Sequence, residues 1–172
     1  MSEESASEQT GYFRFDDNAK AFVKKLKDNP ESDNIGTQIE FYWLCAQLGL
    51  VAYSKDASLP KGPPAGNEMH GGWAGETRKN QFLIRAFVMY RYLCGKGFED
   101  IHEDLADDIE AAMDGFLQMT GTNLTIRGMK ELDKFAQKGW DMIHDGGKGI
   151  SRSNSLSLFL CKYVVLLSKF EN

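Results

Sequence analysis

A chain of 172 residues, 42% hydrophobic and 26% charged, has the size and composition of one globular domain with enough apolar residues to bury a core. Its formal net charge of -5 and pI near 5.2 exclude a protein whose whole surface binds polyanions and leave room only for a local basic patch. Cys45, Cys94 and Cys161 are far apart, odd in number and set in apolar stretches without a CxxC pair. That usage predicts a reducing, cytoplasmic location and buried thiols that pack as small hydrophobes.

The opening "MSEESASEQTG" is acidic and polar and has no apolar core segment, so residues 1–11 read as a disordered tail and not as a signal peptide or membrane anchor. "GYFRF" reads as a short extended lead-in. Asp16 or Asp17 then caps a helix to about Asp28, with Ala19, Phe22, Val23 and Leu26 on one face, and Asn29-Pro30 ends it. A second helix is predicted from about Asp33 to Leu50, carrying Ile35, Ile39, Tyr42, Trp43, Ala46 and Leu50. Its apolar residues fall on more than one face, which implies deep burial or an oligomer contact.

From Ser54 to Gly75 the prolines Pro60, Pro63 and Pro64, together with glycines, predict a long Pro/Gly loop between helices two and three. Within it "GNEMHGGWAGE", residues 66–76, fits neither a helical nor a strand period. It reads as a shaped lead into helix three, with Trp73 as an anchor and Glu76 near the positive helix start. Helix three is expected from Thr77 to Cys94, with Phe82, Ala86, Met89 and Leu93 as its packing face. Helix four follows from about Glu99 to Met119, with Ile101, Leu105, Ile109, Ala112, Met113 and Phe116 opposite a solvated acidic face. Thr125 caps helix five, which runs to about Ile143, and "HDGGKGISRSNS" connects it to helix six, Ser155 to Phe170. The last apolar run, "LSLFLCKYVVLLSKF", is too short, and too interrupted by Lys162, to span a bilayer, and reads as a buried helix. The chain is therefore expected to be all-α: a compact bundle of about six helices, with a tail at 1–11, a helical domain at 12–145 and a connector plus appended helix at 146–172.

Few residues carry recognisable chemistry. Gly146-Gly-Lys-Gly-Ile-Ser151 offers backbone N–H groups and a lysine to a phosphate, but lacks P-loop spacing and a preceding strand. Glu99-x-x-His102 and Asp141-x-x-His144 place a carboxylate and an imidazole on one helix face, as a ferritin-like metalloenzyme requires, with Glu40 and Glu76 or Glu110 to complete the set. His70 is a further lone candidate ligand. No Ser-His-Asp or Cys-His pattern is recognisable, so neither a catalytic residue nor a cofactor is expected. Lys20, Lys24 and Lys27 recur at helical spacing on the first helix with Lys25 beside them. They form either an ordinary solvated face or a phosphate-contacting stripe, which symmetric repetition in an oligomer would multiply. A pure protein-interaction module, docking a basic partner on the acidic face of helix four, is the remaining alternative.

The order of "DDNAKAFVKKLK", "FYWLCAQLGLVAYS", a proline-containing loop and "NEMHGGWAGE" leading into "FLIRAF" resembles the DndE family of DNA sulfur modification proteins. "IHEDLADDIEAAMDGFLQMTG" followed by "IRGMKELDKF" is similar to the helical second half of that family, so the resemblance covers roughly residues 12–137. It implies a compact helical, oligomeric and non-catalytic subunit of an anti-phage, restriction-modification type system in the cytoplasm. Its partners would be duplex or nicked DNA and the sulfurtransferase-like and ATPase subunits of a phosphorothioation complex. By position, Lys20, Lys24, Lys25 and Lys27 become the DNA-contact residues. The acidic balance of the chain and the helix at about 151–170 depart from the family pattern.

Overall fold

A computed structural model of the chain describes residues 13–29, 37–53, 58, 60–63, 68–69, 107, 115–116, 124–146 and 150–170. The lead-in is a two-residue strand, β1 (Phe13–Arg14), paired antiparallel with β2 (Glu68–Met69), Phe13 opposite Met69 and Arg14 opposite Glu68. Part of "GNEMHGGWAGE" is thus a strand partner for the start of the chain, and the rest of that stretch lies outside the described residues. A pairing between segments this far apart leaves no local periodicity to read.

Helix α1 (Asp17–Lys27) starts where expected because the Asp16 carboxylate accepts the Asn18 N–H at 2.7 Å. Ala19, Phe22, Val23 and Leu26 form its buried stripe. Helix α2 (Gln38–Tyr53) begins later than the predicted Asp33 and runs three residues past Leu50. Thr37 and Glu40 set its start: Glu40 accepts the Thr37 N–H at 2.8 Å and Thr37 Oγ1 accepts the Glu40 N–H at 3.4 Å, a capping box. Its apolar residues are buried on nearly every side, so burial accounts for its all-round hydrophobicity.

Helix α3 (Ile126–Asp141) is capped by Thr125, whose hydroxyl accepts the Gly128 N–H at 3.0 Å and donates to the Gly115 carbonyl at 2.9 Å. It passes into a wider turn at Met142–Gly146 and, beyond it, a 3-10 turn at Ile150–Arg152. Helix α4 (Leu156–Ser168) is capped by Ser155, which accepts the Leu158 N–H at 3.3 Å. The described chain is thus mostly helical, with four α-helices and almost no strand. Predicted helices three and four lie outside the described residues, except that Asp107 and Gly115–Phe116 within the fourth are helical. Of the long loop, Ser58 is tied to α3: Lys138 Nζ donates to its carbonyl at 2.6 Å.

Among the described residues, α2 and α3 approach each other very closely. A Cβ on Gly49 would collide with the Phe135 carbonyl, and one on Gly139 with the Cys45 carbonyl. The two glycines thus answer each other across an antiparallel helix pair. Without side chains at these two points the backbones meet directly, and the flanking Ala46, Leu132 and Ala136 are fully buried. Around that seam each helix contributes one ring to a shared cluster: Phe22 from α1, Phe41 from α2, Trp140 from α3 and Phe159 from α4. Phe22 lies 5.6 Å from Phe41, 5.9 Å from Trp140 and 5.7 Å from Phe159 between ring centroids. Tyr163 also ties α4 down, donating its hydroxyl to the Leu44 carbonyl at 2.7 Å. Helix α4 therefore shares one core with the other three.

Alanine at Gly49 or Gly139 must push two backbones apart, which should cost roughly 2–4 kcal/mol of unfolding free energy. Alanine at Gly115, whose nearest new neighbour is Arg127 Nη1 at 3.8 Å, should change stability little. Urea midpoints of the three variants measure the difference; equal midpoints would contradict the seam.

Candidate nucleic-acid interface

Helix α1 orders its charges along its axis. Asp17 stands in the first turn and Lys24, Lys25 and Lys27 in the last, each sign facing the opposite end of the helix dipole. Part of the basic clustering therefore stabilises the helix itself. Lys20, Lys24 and Lys27 lie within an arc of about 60°, with Lys25 about 100° further round, all of them clear of the buried stripe.

The four candidate lysines are not equivalent. Lys20 is half-buried, and its Nζ stands 3.5 Å from Asp17 Oδ1 in a pair one turn apart. Lys24, Lys25 and Lys27 are exposed. Lys24 and Lys25, with Ala21, Asp28, Asn29 and Asn154, line a shallow open depression of about 480 Å³. Asn154 belongs to the segment that leads into α4, and the Asn29 side-chain amide donates to its backbone carbonyl. Sequence spacing found the lysines but not Asn29 or Asn154, because 125 positions separate the two asparagines and only the packing of α4 against α1 brings them together. Lys20 and Lys27 do not line the depression. The Asp28 carboxylate in its lining opposes an anion.

The metal-site candidates have other engagements where they are described. The Asp141 carboxylate accepts from Gln137 Nε2 at 2.8 Å, the His144 ring stacks on Trp140 at 5.2 Å, and Glu40 caps α2. Glu76, Glu99, His102 and Glu110 lie outside the described residues, as does His70. Among the described residues no group of three or more His, Cys, Asp or Glu side chains is placed to hold a metal ion. Of the thiols, Cys45 is buried as expected, and burial pushes its titration up. Cys161 is exposed, contrary to expectation, because it lies on the side of α4 that the core does not reach. Cys94 is outside the described residues. Among the described residues no helix is long and apolar enough to cross a membrane.

Among the described carboxylates the one that is clearly perturbed is internal. Asp133 on α3 is 3% exposed, and burial raises its pKa to about 7 although its hydrogen bonds favour the charged form. Tyr42 donates to Oδ1 at 2.8 Å, and the Arg14 backbone N–H reaches both carboxylate oxygens at 3.2 Å. Shifted acids often mark reactive sites, but every partner here is structural: the carboxylate fastens β1 and α2 to α3. Tyr42 is fully buried, and burial first, then the Asp133 charge, raises its own titration.

Compared with family models, curated proteins and solved structures, the chain matches none.

Because the folded Asp133 pKa lies above the unfolded value, the native state holds its proton more tightly. The stabilisation this provides is complete below about pH 4 and is lost as pH rises through about 7. In Asp133→Asn the amide oxygen still accepts from Tyr42 and Arg14 but cannot ionise. The decline in stability between pH 4 and 7 should flatten in this variant, as read from urea unfolding at several pH values; an unchanged slope would contradict the assignment.

Proposed function

We propose that this protein is a non-catalytic, DNA-associated helical subunit of a DNA phosphorothioation complex, working in the cytoplasm beside sulfurtransferase-like and ATPase subunits. The observation that carries the reading is the exposed basic last turn of α1, where Lys24 and Lys25 flank a depression wide enough for a phosphate group and Lys27 extends the positive edge. The resemblance to the DndE family supplies the system; the helix supplies a physical means of contact. On a chain of net charge -5 that contact has to be local. A few phosphates per copy give weak, salt-sensitive and sequence-independent binding, which repetition of the chain in an oligomer strengthens.

The test is titration of intact and nicked duplex DNA by the purified protein across a salt series. Replacing Lys24, Lys25 and Lys27 with alanine should weaken binding to both, and should flatten the dependence of log affinity on log salt by about one unit for each phosphate no longer neutralised. Lys20→Ala, which removes the ion-paired lysine, should have the smaller effect. Unchanged affinity and slope in the triple variant, with its helical content intact, would remove α1 from the account.

A further inference from the structure

The chain is acidic overall, but its charge is unevenly placed. From Gly146 to Phe170 it carries Lys148, Arg152, Lys162 and Lys169 and no Asp or Glu. This segment enters the candidate interface through Asn154, which lines the depression beside Lys24 and Lys25. Of the four basic residues, Arg152 is the one nearest to Asn154 along the chain. Two residues of chain span at most about 7 Å, so its side chain is within reach of a group bound beside the depression.

The backbone around Arg152 is pinned on both sides. Ile150 is 5% exposed and Ser153 fully buried, and the Ser153 N–H donates to the Ile150 carbonyl at 3.0 Å, closing the 3-10 turn of Ile150–Arg152. One position further on, the Asn29 side-chain amide holds the Asn154 carbonyl. Arg152 itself is exposed, and among the described residues no carboxylate pairs with it. A guanidinium on a turn held in this way is preorganised, since little backbone freedom is left to lose when it meets a ligand.

We propose that Arg152 is a further phosphate-binding residue of this surface, meeting the phosphate next to the one that Lys24 and Lys25 contact, and that Asn29 positions it by clasping Asn154. The inference rests on the DNA reading above and extends it from one helix to two segments distant in the chain. Chemistry separates the roles. The lysines are point charges on flexible stems, whereas a guanidinium offers a planar fork of N–H donors that matches two oxygens of one phosphate. Each DNA strand carries one phosphate per about 3.4 Å of helix axis, so cations several ångströms apart on the protein meet neighbouring phosphates. Arg152 also adds positive charge to a surface where Asp28 opposes an anion.

The test is a salt-series titration of nicked duplex DNA with Arg152→Ala, Arg152→Lys and Lys169→Ala, each with unchanged helical content by circular dichroism. Arg152→Ala should weaken binding and lower the slope of log affinity against log salt by about one unit, the loss of one phosphate contact. Arg152→Lys should keep the slope, because the charge is kept, and only part of the affinity, because the fork is lost. Lys169→Ala changes the net charge equally at the far end of α4 and should leave affinity and slope as in the wild type. Asn29→Ala should weaken binding in the wild-type chain and do little more once Arg152 is alanine, the non-additivity of two residues that act through one contact. Unchanged affinity and slope in Arg152→Ala, while the α1 triple variant loses both, overturns this inference and leaves the DNA reading standing. Equal losses in Arg152→Ala and Lys169→Ala also overturn it, since net charge alone then accounts for both. A wild-type chain without salt-dependent binding overturns the inference and the DNA reading together.

Discussion

Two carbonyl groups resting on two glycines fix the core of this molecule. Because Gly49 and Gly139 present no side chain, α2 and α3 close until backbone meets backbone, and the rest of the packing is set by that separation. At this distance the Tyr42 hydroxyl reaches Asp133, and Asp133 in turn captures the N–H of Arg14 and holds β1 against the helix pair. On the other side Phe41 and Trp140 form a common aromatic surface, 6.1 Å between centroids, on which Phe22 and Phe159 settle. The position of α1, and with it the direction its lysines face, follows from that aromatic surface. A wider helix pair would loosen the hydrogen bond and the ring cluster together.

The fold separates its charges by function. The buried carboxylate of Asp133 is held by Tyr42 and the Arg14 N–H and contributes to architecture, while Lys24, Lys25 and Lys27 of α1 stand in water where they cost little to keep charged. Their concentration in one turn satisfies the helix dipole, and the same concentration gives an acidic chain a basic edge beside a depression. Both roles are compatible, since a helix that orders its own charges presents them in a fixed array. Asp28, beside the same depression, sets a negative charge against the array.

Much of the helical frame is legible in local sequence because its signals are local. Thr125 and Ser155 stand one position before an apolar residue and Asp16 three before Ala19, and each caps the helix that follows. The start of α2 is easily misread because Ile35 continues the apolar period backwards, while Thr37 and Glu40, three apart, hold the actual boundary. Tertiary signals are not legible. Nothing beside Gly49 or Gly139 announces a facing carbonyl, and nothing in "NEMH" announces that Glu68–Met69 pairs with Phe13–Arg14. A run such as "LFLCKYVVLL" states only that a helix is apolar; which side the core takes depends on Phe22 and Phe41, far away in the chain. The candidate site divides in the same way, with its lysines readable from spacing on one helix and Asn154 visible only once α4 is in place.

We propose that DNA is met by the end of α1, beside the segment that leads into α4. Amide hydrogen exchange of the full chain, measured with and without a nicked duplex at low salt, tests it most directly. Exchange should slow on DNA addition around residues 24–29 and 152–155, with the α2–α3 seam unchanged. Binding that protects other surfaces and leaves both segments unaltered would contradict it.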